Sequence, residues 1–386
     1  MGVGGSIRSF VLGYRDEVIE AVRDADVQGL PLCVIGGGSN LLVRDGPFDG
    51  VVVRDRSRGL HDVLRTDDVV VQRVDAGMMW DDYVAMSVGS GLSGVEGLSG
   101  VPGTVGASVV QNIGAYGQSV ASSVRRVEAW DRLSGRLVVL GPGDLRFGYR
   151  TSALKESMYV SPAVPAVRFF PTPRYVVLTV DLALRPDGMG TVAYGQLAHA
   201  LGAVVGDRLP VEEIRAAVLR VRAAKGMLED PHRYATPVMA GMRDPIAVEA
   251  ALESMRRDSD VQDADRHSCG SFFMNPVLSV GQAAQLPDDA PRFPVAPQGA
   301  ADVDARPGVK TSAAWLIDHA GFHRGFRLSP DAPAALSSRH TLALTNRGAA
   351  RAADVVALAS AVRDGVRSVF GVTLDPEPVL VGVGLD

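Results

Sequence analysis

Cysteine is nearly absent from this sequence: Cys33 and Cys269 are the only two in 386 residues. Two thiols cannot build a disulfide framework or a Cys-type zinc site, and the cytosol is the simplest reading of such a chain. A basic excess is missing too. The formal net charge is -5 and no Lys/Arg-rich block occurs, so nucleic acid is not an expected partner. An anionic ligand would have to be held locally, by backbone donors and a few placed cations. Residues 1–11 show no charged-then-apolar signal pattern. Residues 97–124 carry no charge, yet they are rich in Gly, Ser, Asn and Gln. That composition suits loops rather than a membrane span, and no membrane partner is expected.

Several catalytic signatures are also lacking. No G-x-S-x-G elbow is present, which excludes the usual α/β-hydrolase nucleophile. His319 and His323 are spaced i, i+4, but Gly321 lies between them, no HExxH glutamate accompanies them and no third ligand is apparent. They read as exposed histidines at a helix end, and no metal is expected. Cys269 has no activating motif and reads as a small buried residue.

What is present is a soluble globular chain, 46% hydrophobic and 22% charged, long enough for two or three domains. Val18, Val22 and Ala25 are spaced for one helix face. Residues 32–35, 41–44, 50–54, 69–74 and 176–184 read as strands. In the last, Leu178, Val180, Leu182 and Leu184 alternate with Thr179, Asp181, Ala183 and Arg185. Pro210 opens a helix with Glu212 and Glu213 in its first turn and Ile214, Val218 and Val221 on one face. Residues 235–266 show no clear period apart from a short helix at 246–255, and 287–307 read as a loop. Residues 351–370 form an amphipathic helix with Val355, Leu358, Val362, Val366 and Phe370 inward and Gly371 as its stop.

Two glycine-rich tracts carry the first chemical signal. Gly36-Gly37-Gly38-Ser39-Asn40 follows a strand, where glycine lets backbone N–H groups approach an anion. It is neither a Walker loop nor a dinucleotide fingerprint, because no Lys-Ser/Thr follows and Leu41 begins another strand. A plain turn is the alternative reading. The second tract runs from Gly97 to Gly117 and includes Gly103-Thr104-Val105-Gly106-Ala107 and Gln111-Asn112-Ile113-Gly114-Ala115-Tyr116. So many small residues and amides suit a flat cofactor laid against backbone, whereas a mobile loop would not need the interleaved Val101, Val105, Val109 and Ile113. Elsewhere Arg150 stands beside Tyr149, Ser271 lies among bulky apolar residues, and Glu377 is flanked by Pro376 and Pro378. A guanidinium, a hydroxyl and a carboxylate together suit proton delivery to a developing enolate.

In this order the motifs resemble one family, the bacterial UDP-N-acetylenolpyruvoylglucosamine reductases. The resemblance runs through Val3-Gly4-Gly5, Gly37-Gly38-Ser39-Asn40-Leu41, the 97–117 tract, residues 146–150 and 270–276, Ala314-Trp315-Leu316-Ile317-Asp318, His340-Thr341-Leu342-Ala343-Leu344 and Pro376-Glu377-Pro378. It implies an α+β fold: a two-domain FAD-binding module of the vanillyl-alcohol-oxidase type and a third α+β domain covering the substrate. The implied partition is 1–60 with the C-terminal strand 378–386, then 61–206, then 207–377 with an insertion near 235–260.

The resemblance also implies the chemistry, a step in peptidoglycan precursor synthesis. NADPH passes a hydride to FAD, and UDP-N-acetylglucosamine enolpyruvate then receives it from flavin N5 at its methylene carbon, giving UDP-N-acetylmuramate. By the matching motifs Ser271 is the proton donor, while Arg150 and Glu377 polarise the substrate carboxylate and stabilise the intermediate. FAD is assigned to Gly36, Gly37, Gly38, Ser39, Asn40, Leu41, Gly103, Thr104, Gly106, Ala107, Ser108, Asn112, Gly114, Ala115 and Tyr116. Tyr194 and Lys225 stand where longer-type members place a tyrosine and a lysine against the nucleotide diphosphate. Tyr149, Asn275 and His340 complete the expected substrate neighbours. The chain is expected to act as a monomer. Another FAD-dependent oxidoreductase of the same fold is the rival reading, and Ser271, Arg150 and Glu377 in their motifs argue against it.

Overall fold

The computed structural model describes residues 1–160, 171–228, 264–295 and 308–385. The expected insertion at 235–260, with its short helix at 246–255, lies outside them. The chain divides into two compact units. The larger takes Ile7–Gly38 and Phe48–Gln262; the smaller takes Met1–Ser6, Ser39–Pro47 and Asp263–Asp386.

The larger unit is built on a five-stranded antiparallel sheet in the order Arg136–Leu140, Val124–Asp131, Tyr175–Leu184, Val70–Asp75, Leu60–Arg65. The helices Trp80–Gly89 and Val105–Gln111 supply Trp80, Tyr83, Val84, Val105 and Val109 to its core, all fully buried. A three-stranded parallel sheet has Phe48–Asp55 between Ile7–Gly13 and Leu32–Val34. The helix Arg15–Val27 buries Val18, Val22 and Ala25 against it, the spacing read in the sequence.

The strand Tyr175–Leu184 departs from its sequence pattern in an informative way. Alternation predicts Leu178, Val180, Leu182 and Leu184 on one face. A register shift between Val177 and Thr179 inserts an extra residue, and such a bulge reverses the side-chain phase. Val176 and Leu178 therefore join the core of the parallel sheet, while Val177, Val180, Leu182 and Leu184 join that of the antiparallel one. Asp181, on the other alternation, is buried as well, and Arg73 opposite it pairs with both carboxylate oxygens at 2.7 and 2.8 Å.

The tract expected to form loops contains the helix Val105–Gln111, which begins at Thr104, whose Oγ1 accepts from the Ala107 N–H at 3.4 Å. Packing overrides the weak helix propensity of its small residues: Val105 and Val109 are fully buried, and Val101 and Ile113 pack against the same core. Pro210 precedes the helix Val211–Ala224, which buries Ile214 and Val218 and leaves Val221 half-buried. That helix belongs to the larger unit.

In the smaller unit the helix Ala352–Phe370 buries Val355, Leu358, Val362 and Val366, each side chain contributing roughly 1.5–3 kcal/mol. Gly371 ends it in the left-handed region at φ 67°. Around it lie an antiparallel sheet with Gly308–Lys310 between Val277–Ser279 and Phe293–Val295, the pair Ala334–Leu336 with Leu344–Asn346, and the parallel pair Leu41–Val43 with Val379–Val381. Residues 293–295, read as part of a loop, are thus a short strand recruited by pairing.

Candidate active site

In the larger unit the two glycine tracts touch through their backbones. A Cβ on Gly36 would stand 2.8 Å from both the Ala107 Cβ and the Thr104 Oγ1, and one on Gly37 would stand 3.0 Å from the Gly103 Cα. A Cβ on Gly106 would meet the Ala76 Cβ at 2.7 Å. Only glycine admits these approaches. Among the described residues, the backbone N–H groups of Gly36, Gly37 and Gly38 donate to no protein acceptor. A cradle of small residues edged by such donors fits the pyrophosphate of a dinucleotide cofactor. Ser108, assigned to the cofactor by sequence, is buried and its hydroxyl donates to the Val105 carbonyl at 2.7 Å.

Arg150 sits on a turn closed by two backbone bonds between Gly148 and Thr151, at 3.0 and 3.3 Å, with φ of 58°. Asn112, at φ 48°, ties this turn to the glycine tract. Its Nδ2 donates to the Gly148 carbonyl at 2.7 Å, while its Oδ1 accepts from the Ser119 hydroxyl at 3.0 Å and the Ala121 N–H at 3.3 Å. The Arg150 guanidinium lies 5.6 Å from the Tyr149 ring centroid. A Cβ on Gly114 would be 2.9 Å from its Nη1, so glycine there makes room for the cation.

Tyr116, Tyr194 and Lys225 also gather. The two rings meet edge to face with centroids 6.0 Å apart, and Lys225 Nζ donates to Gln196 Oε1 at 2.7 Å. Burial, and then the charge of Arg222, push the Lys225 ammonium below its ordinary pKa. Burial raises the Tyr116 hydroxyl, against the opposing pull of Arg222. Two partly desolvated cations side by side suit an anionic ligand such as a diphosphate.

The smaller unit places the hydroxyl and the carboxylate in paired segments. Phe272 N–H donates to the Leu342 carbonyl at 2.8 Å, Glu377 N–H to the Phe272 carbonyl at 2.8 Å, and Met274 N–H to the Asp375 carbonyl at 2.9 Å. Ser271, Glu377 and the His340 segment therefore lie on neighbouring stretches of chain joined by backbone hydrogen bonds. Asn40 Nδ2 donates to the Glu377 carbonyl at 3.5 Å and its carbonyl accepts from Val379 N–H at 3.0 Å, bringing Ser39, Asn40 and Leu41 beside them. His340 Nδ1 accepts from the Leu342 N–H at 3.0 Å, which leaves the proton of a neutral ring on Nε2. Asn275 Oδ1 accepts from Ala313 N–H at 2.9 Å, at the start of the helix Ala313–His319.

His319 and His323 are exposed at the end of that helix, and among the described residues no group of three or more His, Cys, Asp or Glu could hold a metal. Sequence reasoning missed Arg222, Gln196, Glu96 and the pair Asp81–Arg215. Glu96 is buried, accepts from Gly94 N–H at 2.6 Å and from Gln118 Nε2 at 2.7 Å, and Gln118 Oε1 accepts from Gly97 N–H at 2.6 Å. The tract has no charge of its own, so charges just outside it hold it in place. Only the position of Glu96, directly before the tract, was a visible signal.

Residues 10–141 match the family model described as an FAD binding domain, and 262–381 match the C-terminal domain of UDP-N-acetylenolpyruvoylglucosamine reductase. The UDP-N-acetylenolpyruvoylglucosamine reductase of Nocardia farcinica is 44% identical over 384 residues, covering 99% of this chain and 87% of that protein. That of Thermobifida fusca is 42% identical over 390 residues, covering 100% and 96%. The crystal structure of the Thermus caldophilus reductase aligns with TM-score 0.53 at 23% identity, over 98% of this chain and 94% of that one, and shows the same fold. The expected α+β architecture with an FAD module of the vanillyl-alcohol-oxidase type is the one found, and the chain belongs to the UDP-N-acetylenolpyruvoylglucosamine reductase family.

Proposed function

We infer that this chain reduces UDP-N-acetylglucosamine enolpyruvate to UDP-N-acetylmuramate with NADPH, using FAD, in peptidoglycan precursor synthesis. The observation that carries this reading is family membership over essentially the full length of the chain. When bound, FAD supplies hydride transfer, which no side chain here can perform.

The protein's own residues have four tasks. The N–H groups of Gly36, Gly37 and Gly38, with the Gly103–Ala107 backbone against them, hold the pyrophosphate. Tyr194 and Lys225, with Arg222, take the substrate diphosphate. In the smaller unit the Ser271 hydroxyl holds the proton destined for the carbon beside the substrate carboxylate, and Glu377 in the paired segment balances the charge that develops there. Arg150, in the larger unit, is the cation for the carboxylate. Tyr149, Asn275 and His340 are further substrate neighbours.

The division into 1–60 with 378–386, 61–206 and 207–377 stands as a proposal about working parts; by compactness, Val211–Ala224 groups with the cofactor module. Among the described residues no helix is long and apolar enough to cross a membrane. Two free cysteines suit a reducing compartment, and we take the protein to be a cytosolic monomer.

The test is anaerobic. NADPH should bleach the visible flavin band of the purified protein, and UDP-N-acetylglucosamine enolpyruvate should restore it. Bleaching without return would move the substrate elsewhere. No flavin after reconstitution with FAD would overturn the reading.

A further inference from the structure

Asp81 and Arg215 form an ion pair inside the larger unit, with side chains 4% and 1% exposed. The guanidinium meets both carboxylate oxygens, Nη1 to Oδ1 at 2.7 Å and Nη2 to Oδ2 at 3.0 Å, across 134 residues of sequence. Neither residue belongs to the set assigned above. A fully desolvated pair gains little stability over apolar residues of the same volume, so stability alone gives poor reason to keep one here.

Its third partner supplies the reason. Asp81 Oδ1 also accepts the N–H of Gly100 at 2.6 Å. Gly100 turns the chain at φ 69°, and a Cβ there would stand 2.9 Å from the Leu228 side chain and 3.0 Å from that of Leu219. The same turn is held by its carbonyl, which accepts from Arg222 Nε at 3.1 Å. Trp80, next to Asp81, donates Nε1 to the Leu98 carbonyl at 3.1 Å and its N–H to the Gly103 carbonyl at 3.0 Å. Gly103 then lies against Gly37, and Thr104 against Gly36. The helix Val211–Ala224 lies outside both matched family segments, yet it contributes both arginines to this grip.

We propose that Asp81 and Arg215 are a positioning pair for the cofactor: they fix the Gly100 turn, and through it the Gly103–Ala107 backbone that meets FAD. Arg215 aims the carboxylate, and the carboxylate aims the turn. The proposal rests on the FAD reading above, and wild-type reconstitution separates failure of one from failure of the other.

Two double variants of the full chain distinguish positioning from simple packing. Asp81→Ala with Arg215→Met removes the pair without leaving a lone buried charge, and it strips Gly100 N–H of its acceptor. Asp81→Asn with Arg215→Met removes the pair but keeps an amide oxygen for Gly100. In apoprotein titrations with FAD, the first should raise the dissociation constant by at least about tenfold, the scale of one lost buried hydrogen bond, and shift the flavin visible band. The second should recover most of that loss. Wild-type affinity and spectrum in the first variant would overturn the proposal, while wild-type protein that fails to take up FAD would overturn the cofactor reading with it. Should the variants not fold, hydrogen exchange on the wild-type apoprotein still decides. The Gly100 amide should be protected like the surrounding helix cores, and free exchange there would overturn the proposal.

Discussion

Glu377 donates its backbone N–H to the Phe272 carbonyl at 2.8 Å, which seats the acid next to the segment that holds Ser271. The two lie far apart in sequence and become neighbours only through this pairing. If Ser271 delivers the proton, Ser271→Ala should leave flavin bleaching by NADPH within a few-fold of wild type. Reoxidation by the enolpyruvyl substrate should slow by roughly 10²–10⁴-fold, the range for one positioned acid–base group. Stopped-flow absorbance separates the two half-reactions, and two fast phases in the variant would remove Ser271 from the mechanism.

Asn112 makes three side-chain hydrogen bonds, one to the Arg150 turn at Gly148 and two to Ser119 and Ala121, while holding φ at 48°. Asn112→Gly keeps the backbone at ease and loses only the bonds, so urea unfolding should show a loss of about 2–3 kcal/mol. Asn112→Ala should cost roughly 1 kcal/mol more, because a Cβ is strained in the left-handed region. Equal losses in the two variants would mean that the backbone conformation is not under strain.

Asp265 makes the smaller unit sensitive to acid. Burial alone would raise its carboxyl, but the Ser338 hydroxyl and N–H, then the Ser337 hydroxyl and the Arg347 guanidinium, outweigh burial and hold it below the usual aspartate value. The folded pKa therefore lies under the unfolded one of about 3.9. The stabilisation is present in full above that pH and fades as pH falls through the folded value. Asp265→Asn should cost about 1–3 kcal/mol at pH 7, and the gap from wild type should close below pH ~4. A gap independent of pH would assign the effect to shape rather than charge.

Gly36→Ala puts a methyl group where the neighbouring Cβ and hydroxyl already stand 2.8 Å away. Relieving that contact must part the two glycine tracts, so FAD affinity should drop by about tenfold or more, the equivalent of 1–3 kcal/mol of overpacking. Gly281→Ala, where a Cβ meets nothing within 4 Å, is the control and should leave FAD affinity unchanged. Comparable affinities in the two variants would mean that the tracts do not need their close approach.

Cys269 is 8% exposed, and burial pushes its thiol up to about 12. It should resist iodoacetamide at pH 8 in the native protein and react on unfolding in guanidinium. Rapid native alkylation, followed by mass spectrometry of the labelled peptide, would contradict the burial.

The sequence by itself determined the elements whose cause is local. The periodicity of Val18, Val22 and Ala25 set one helix, and that of Val355, Leu358, Val362 and Val366 set another, ended by Gly371. Ordered motifs carried the family, the cofactor and the candidate residues, because a short segment such as Gly36-Gly37-Gly38 holds its chemistry in its own composition. Tertiary structure decided everything that depends on a distant partner. The bulge at Leu178 divides one alternating strand between two cores, through pairing with Val124–Asp131 that no local pattern encodes. Thr104, Val105 and Val109 form a helix where composition favours loop, since burial outweighs propensity. Asp81, Arg215 and Arg222 could not be distinguished from surface charges until the fold set them around Gly100: a charge acquires its role from what lies within a few ångströms of it, and sequence order does not record that distance.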